Sequence, residues 1–360
     1  MSLIAVAHGE EPSRQAIWLA LLAAVLFGVT TPAAKALLSL TDPWLLAGLL
    51  YLGSGVGLGA ARLARGVTGR ASREAPLRRA DLPWLAGAIL SGGCLGPVLL
   101  MWGLAGGSAS QSALLLNLEG VFTALLAWLA FREHVDARIA AGMGAITVGA
   151  FVLAWQPRQG LTLDRSALLV SAACATWAVD NNLTRKIAGG DAGLIAALKG
   201  SVAGTVNLVM AMAMGAAWPR PAVVVIAGVV GLFGYGVSLM LFVRALRDLG
   251  AARTGAYFSM APFVGAVLAI LVLGESFGSQ LAMGGVLMGL GVWLHLRERH
   301  THEHAHEMLA HDHLHRHDLH HDHAHDSATP SGEPHSHWHI HGPTRHRHPH
   351  YPDIHHRHDH

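Results

Sequence analysis

Glu119 stands about nine residues into an apolar stretch covering 109–131, and that placement makes it the first candidate for chemistry in this chain. At ~1.5 Å per helical residue it lies roughly 13 Å along a helix, near the middle of a hydrocarbon layer ~30 Å thick. A carboxylate there can alternate between protonated and charged forms as a solute or cation comes and goes, which is the chemistry of a proton-coupled exchanger or a cation site. A protonated Glu bonded to a neighbouring helix for packing alone is the plainer alternative. Asn117 and Ser112 are polar neighbours of Glu119 in the same stretch. A second cluster, Asp180, Asn181 and Asn182, lies in the stretch 166–187, with Lys199 in the next one. If the turn between them centres near Gly189 and Gly190, Asp180 and Lys199 reach similar depth and can pair, each offsetting the other's desolvation. The two amides are the better ligands, because each offers a donor and an acceptor without needing a counter-charge. Tyr257 and Ser259, early in the ninth span, are candidates to line the same cavity, with packing an equal alternative for the aromatic ring. Lys35 and Arg185 read as side chains snorkelling to the interface.

A different chemistry is written at the far end of the chain. Residues 300–360 hold 23 of the 26 histidines, mostly as H-x-H with Asp, Glu or Arg between. Neutral imidazole suits zinc, nickel, cobalt and copper, so His300, His302, His304, His306, His311, His313, His315 and His317 are candidate ligands. Nothing else in the chain asks for a cofactor. The tail has almost no apolar residues for a core and predicts disorder when unbound. His302, Glu303 and His306 satisfy the zinc-protease pattern H-E-x-x-H, but an alternating His repeat generates such matches by accident.

The elements that must position these residues are membrane helices. The chain is 52% hydrophobic and only 13% charged, and ten mostly apolar spans lie near 17–37, 43–61, 82–104, 109–131, 139–155, 166–187, 192–216, 221–245, 255–273 and 280–296. Trp18, Trp44, Trp84, Trp102, Trp155, Trp218 and Trp293 mark their boundaries, as interfacial belts do. With the amino terminus on one side, sixteen Arg and Lys residues fall on that side and three on the other, which predicts both termini in the cytoplasm. Segment 112–133 reads like 254–275, each closed by a Glu and followed by glycines at one offset, Gly142 and Gly149 against Gly284 and Gly291. Five spans separate the copies, an odd number, so the halves are inverted relative to each other. The expected fold is therefore an all-α integral membrane protein: ten transmembrane helices as two inverted five-helix repeats, plus a disordered C-terminal tail. Its parts are a cytoplasmic segment 1–15, repeats 16–156 and 165–297, and the His-rich tail 298–360.

Phe27-Gly28 followed by Lys35, LNLEGVFTALLAWLAFRE at 116–133, Trp177 to Arg185, and SMAPFVGAVLAILVLGE at 259–275 together resemble the EamA-type members of the drug/metabolite transporter superfamily. The resemblance covers about 16–297. It implies a ten-helix inner-membrane carrier with a substrate site between two five-helix halves. One departure is that Gly120 stands where the fourth-span motif usually has Pro, whereas Pro262 keeps it in the second copy.

The leading expectation is a secondary transporter of a small organic solute, an exporter working by alternating access, and not an enzyme. Gly-Lys never occurs, so no Walker loop is present and the energy comes from a gradient or from exchange. A transition-metal carrier with the tail as its loading arm is the alternative, although no intramembrane His or paired acids support it. A membrane-anchored metal buffer or sensor is the third. The expected partners are the lipid bilayer, a small-molecule substrate and transition-metal ions, with a homodimer allowed and nucleic acid excluded. The three lysines beside twenty-two arginines, with abundant Ala and Gly, suggest a GC-rich bacterial source and hence a bacterial inner membrane. Cys94 and Cys174 fall within spans and read as packing residues.

Overall fold

Polar residues cap the helices where apolar runs begin. The computed structural model describes residues 14–68, 76–131, 137–156, 163–187, 190–249 and 251–296, together with the strands 301–306, 309–315, 335–341 and 344–349. The first two helices are α1 (Arg14–Leu37) and α2 (Pro43–Val67). Asp42 starts α2: its carboxylate accepts the amides of Trp44 (2.8 Å) and Leu45 (3.1 Å), and Pro43 follows where no amide is needed. The third rod is α3 (Leu82–Ala88), a π-helical segment Ile89–Leu95, and α4 (Gly96–Gly106). The fourth is α5 (Ala109–Leu115) and α6 (Leu118–Phe131), followed by α7 (Ala137–Ala154). Then come α8 (Arg165–Arg185) and α9 (Ala192–Ala213), each opened by an aspartate cap, Asp164 and Asp191. The chain continues as α10 (Pro221–Gly231), a second π-helical segment Leu232–Val237, and α11 (Ser238–Leu249). It closes with α12 (Ala251–Phe258), α13 (Ala261–Leu273) and α14 (Ser279–Leu296).

Among the described residues, seven rods are long and apolar enough to cross a membrane: Arg14–Leu37, Pro43–Val67, Arg79–Gly106, Ala109–Ala130, Ala137–Ala154, Ala192–Ala213 and Pro221–Ala245. Ala261–Leu273 and Ser279–Leu294 are shorter apolar helices. The 21-residue α8 falls short in hydropathy because Asp180, Asn181 and Asn182 sit within it. Large apolar side chains cover the outside of the bundle: Val272 and Val286 are each 71% exposed. An exposed belt of this kind is the surface that lipid covers.

The core lies between neighbouring helices, with α2 along α9, α7 along α14, α4 along α8 and α1 along α11 as antiparallel pairs, and α1 parallel to α13. The glycines on α7 and α14 decide how close those helices come. A Cβ on Gly149 would lie 3.0 Å from the Gly284 carbonyl oxygen, and one on Gly291 only 2.6 Å from that of Gly142. Any side chain there would push the helices apart.

Both copies of the repeated motif are broken within one residue of the matching place, despite Gly120 standing opposite Pro262. The first break falls at Leu116 and Asn117, the second at Ser259 and Met260. In the second, Pro262 has no amide to give the helix. In the first, the Asn117 side chain does the work: its Nδ2 donates to the Leu114 carbonyl at 2.9 Å, competing with the helical bond. Among the described residues of the tail, Thr301–His306 (β1) pairs antiparallel with Thr344–Pro349 (β4), and Leu309–His315 (β2) with His335–His341 (β3). Period-two alternation suits an extended chain.

Candidate functional site

One face of α6 carries Gly120, Ala124 and Ala127, small residues at helical spacing that leave room against α8. The resulting cavity is about 360 Å³ and is lined on its polar sides by Glu119, Thr123, Asn181, Asn182 and Arg185. Glu119 opens α6 immediately after the break, so the kink aims its carboxylate across to α8. There Asn181 Nδ2 donates to Glu119 Oε1 (2.8 Å) and, more weakly, to Thr123 Oγ1 (3.3 Å). Asn182 Nδ2 donates to the carbonyls of Ala178 (2.9 Å) and Thr123 (3.3 Å), which fixes the side of α8 facing the cavity. Arg185 lies one helical turn beyond Asn181 and lines the same space, a more specific placement than snorkelling. A carboxylate, a guanidinium, amides and a hydroxyl thus surround one space, able to hold an ammonium at one end and a carboxylate at the other.

Behind this cavity Asp180 and Lys199 meet. Lys199 Nζ lies 2.5 Å from Oδ1 and 2.7 Å from Oδ2, and the Thr184 hydroxyl donates to Oδ1 at 2.8 Å. The side chains are 8% and 18% exposed respectively, so each charge depends on the other. Gly92 makes the space: a Cβ there would collide with the Asp180 carboxylate. Gly92 belongs to the first π-helical segment, where the widened turn redirects backbone bonds, and its carbonyl accepts from both Tyr51 Oη and Trp177 Nε1 at 2.9 Å. Tyr51 in turn packs on Tyr235 of the second π-helical segment, with ring centroids 5.3 Å apart.

Sequence reasoning overlooked Thr123, Thr184 and Tyr51. The run Ser91-Gly92-Gly93 inside an apolar span was the available signal for the π-helical segment that Tyr51 bonds. Asn117 does not reach the cavity. It is buried, shapes the kink and approaches Met288 Sδ at 3.9 Å. Tyr257 packs instead beside Ala16, Ala20 and Ala245, against α1 and α11. Lys35 is no snorkelling residue: its Nζ donates to the carbonyls of Leu104 and Gly107, both at 2.7 Å, closing the C-terminus of α4. Of the two closing glutamates, Glu275 accepts the amides that open α5, while Glu133 lies outside the described residues. His300 and His317 lie outside them too, and His302, His304, His306, His311, His313 and His315 occupy strands β1 and β2. Among the described residues no three His, Cys, Asp or Glu side chains gather as a metal site.

A family profile described as the EamA-like transporter family matches residues 14–155 and again 164–297. The chain is 28% identical over 285 residues to an uncharacterized transporter of Methanothermobacter thermautotrophicus, covering 76% of this chain and 83% of that protein. It is 30% identical over 220 residues to a protein of Streptantibioticus cattleyicolor named as a probable terminal-alkyne amino-acid exporter, covering 60% and 74%. One solved crystal structure superposes with a TM-score of 0.57 over 78% of this chain and 94% of its own, at 17% identity. That likeness is one of fold.

Proposed function

This chain belongs to the EamA-like transporter family, a membrane transporter and not an enzyme, and from that premise we propose that it exports a small zwitterionic solute of amino-acid type. Its spans are ten, arranged as two inverted five-helix repeats in a bacterial cytoplasmic membrane, with both termini in the cytoplasm. Transport proceeds by alternating access and is driven by a gradient or by exchange.

The cavity between α6 and α8 carries this reading. Glu119 receives the solute's ammonium and Arg185 its carboxylate, while Asn181 and Thr123 orient the polar atoms between them. The Asn181 amide holds Oε1 of Glu119 and leaves Oε2 for a proton or for the solute's ammonium, so proton binding and solute binding compete for one carboxylate. Two further observations support the inverted repeats. The π-helical segments Ile89–Leu95 and Leu232–Val237 fall at matching places in the two halves. The glycine contacts also exchange partners, Gly149 meeting Gly284 while Gly142 meets Gly291, as an internal two-fold axis requires. The name of the Streptantibioticus cattleyicolor relative agrees with an amino-acid substrate. Counterflow of labelled amino acids in proteoliposomes tests the proposal: wild-type exchange with at least one neutral amino acid supports it. Absence of exchange with all twenty, from vesicles shown to be tight, overturns the substrate class.

The tail is proposed as a cytoplasmic appendage that binds zinc, nickel, cobalt or copper. The strand register supports this by setting His302 opposite His348, His304 opposite His346 and His313 opposite His337. Equilibrium dialysis against Zn²⁺, comparing the full chain with one ending at Arg299, is the check. Equal zinc content in the two would remove the role.

A further inference from the structure

Where α2 finishes and α9 begins, three arginines line a second cavity of about 150 Å³. Arg62 and Arg65 come from the last turns of α2, three residues apart and therefore on one face. Arg244 comes from α11. Among the described residues one acid in the lining answers these three bases. Asp191, 3% exposed, caps α9 by accepting the Leu194 amide at 2.8 Å and takes the Arg62 guanidinium on its other oxygen. Among the described residues Arg65 and Arg244 have no ion-pair partner. Like charges converging on one cavity repel unless an anion joins them, and the guanidinium fork matches the paired oxygens of a phosphate. Leu58 and Met240 form an apolar wall beside the arginines, packed with Ala196 and Ala197. A charged end with an apolar flank fits a headgroup carrying acyl chains better than a free ion.

We infer that the cavity bounded by Arg62, Arg65 and Arg244 binds the phosphate of an anionic phospholipid, which ties the ends of α2, α9 and α11 together. The assignment is independent of the solute carried in the Glu119 cavity.

Native mass spectrometry of the delipidated full chain, re-supplied with equimolar phosphatidylglycerol and phosphatidylcholine, tests it. The wild type is expected to retain phosphatidylglycerol preferentially. The double variant R65Q/R244Q loses that preference by about tenfold or more, the scale of one or two charge-assisted bonds. Arg220→Gln, at the N-cap of α10, beyond the C-terminal end of α9, leaves it unchanged. R65K/R244K keeps the charges without the fork, so an intermediate, several-fold loss is expected. This arm reads the site even if the Gln variant elutes as aggregate. Equal lipid retention by wild type and R65Q/R244Q, or by wild type and R65K/R244K, overturns the proposal. So does displacement of the lipid by millimolar inorganic phosphate that itself stabilises the protein against heat, since the site would then hold a free anion.

Discussion

The two ends of the bundle are finished differently. At the end where α4 turns into α5, side chains seal the backbone. Lys35 closes the α4 terminus, and Glu275 accepts the amides of Ala109 (2.6 Å) and Ser110 (2.8 Å) at the start of α5. Gln280 Nε2 reaches the carbonyls of Val152 and Trp155, both at 2.7 Å, and Gln111 joins the same α7 terminus through Leu153. Toward the other end lie the two arginine-bearing cavities, one beside Glu119 and one beside Asp191. Helix termini leave backbone groups unsatisfied, so one long polar side chain bonded to a neighbouring terminus can hold two helices together without an apolar interface. In the proposed alternating-access cycle such an end opens by exchanging polar bonds of about 1 kcal/mol each, rather than by tearing apart a core.

That contrast can be broken from either side. Glu119→Gln is expected to have the largest effect: amino-acid counterflow falls on the order of 100-fold, the loss typical of removing one buried charge from a pair, while the thermal midpoint is retained. Retained counterflow would move the site away from this cavity. Asp180→Asn comes next, because Lys199 is left buried without its counter-charge. A destabilisation of about 3–5 kcal/mol is expected in denaturant or thermal unfolding, and adding Lys199→Met recovers most of it. If the single variant is as stable as wild type, the pair belongs to transport rather than to the scaffold.

At the sealed end, Glu275→Gln weakens the clamp on α5 by roughly 1–2 kcal/mol. A cysteine at Ser110, introduced after Cys94 and Cys174 are replaced, should then react with an impermeant maleimide about 5–30 times faster. An unchanged rate would mean that Glu275 caps a helix without guarding a passage. Tyr51→Phe should do least: the Gly92 carbonyl keeps Trp177, and stability drops by about 1 kcal/mol with little change in flux.

Much of this architecture was legible in the residues. The repeated closing Glu and the paired glycines pointed to two related halves. The depth of Asp180 and Lys199 on adjacent spans pointed to their pairing, and the geometry places them within 2.5 Å. Asn181, Asn182 and Glu119 were singled out as polar groups in apolar surroundings, and all three line one cavity. Asn117 has the same composition signal yet turns back onto its own helix. Amide and carboxylate look alike in a hydropathy profile, and only the break at Leu116 and Asn117 separates their directions. Tyr257 stayed open between cavity and packing for a related reason: a residue beside a helix break can face either way, and its ring lies against Ala16, Ala20 and Ala245.

The sequence by itself determined that the chain is helical and membrane-embedded, where its helices begin, and which polar groups lie deep within apolar spans. These follow from local chemistry: aspartate and serine caps, runs without charge, and the cost of placing an ion in hydrocarbon. Tertiary structure alone decided which deep polar groups share a space. Gly92 admits Asp180 only because the π-helical turn carries it past α8, and Lys35 finds its acceptors 69 and 72 residues away at the end of α4. A single turn of register or one widened loop of backbone redirects a side chain from lipid to cavity. That choice is made by the neighbouring helix, whose position no local pattern encodes.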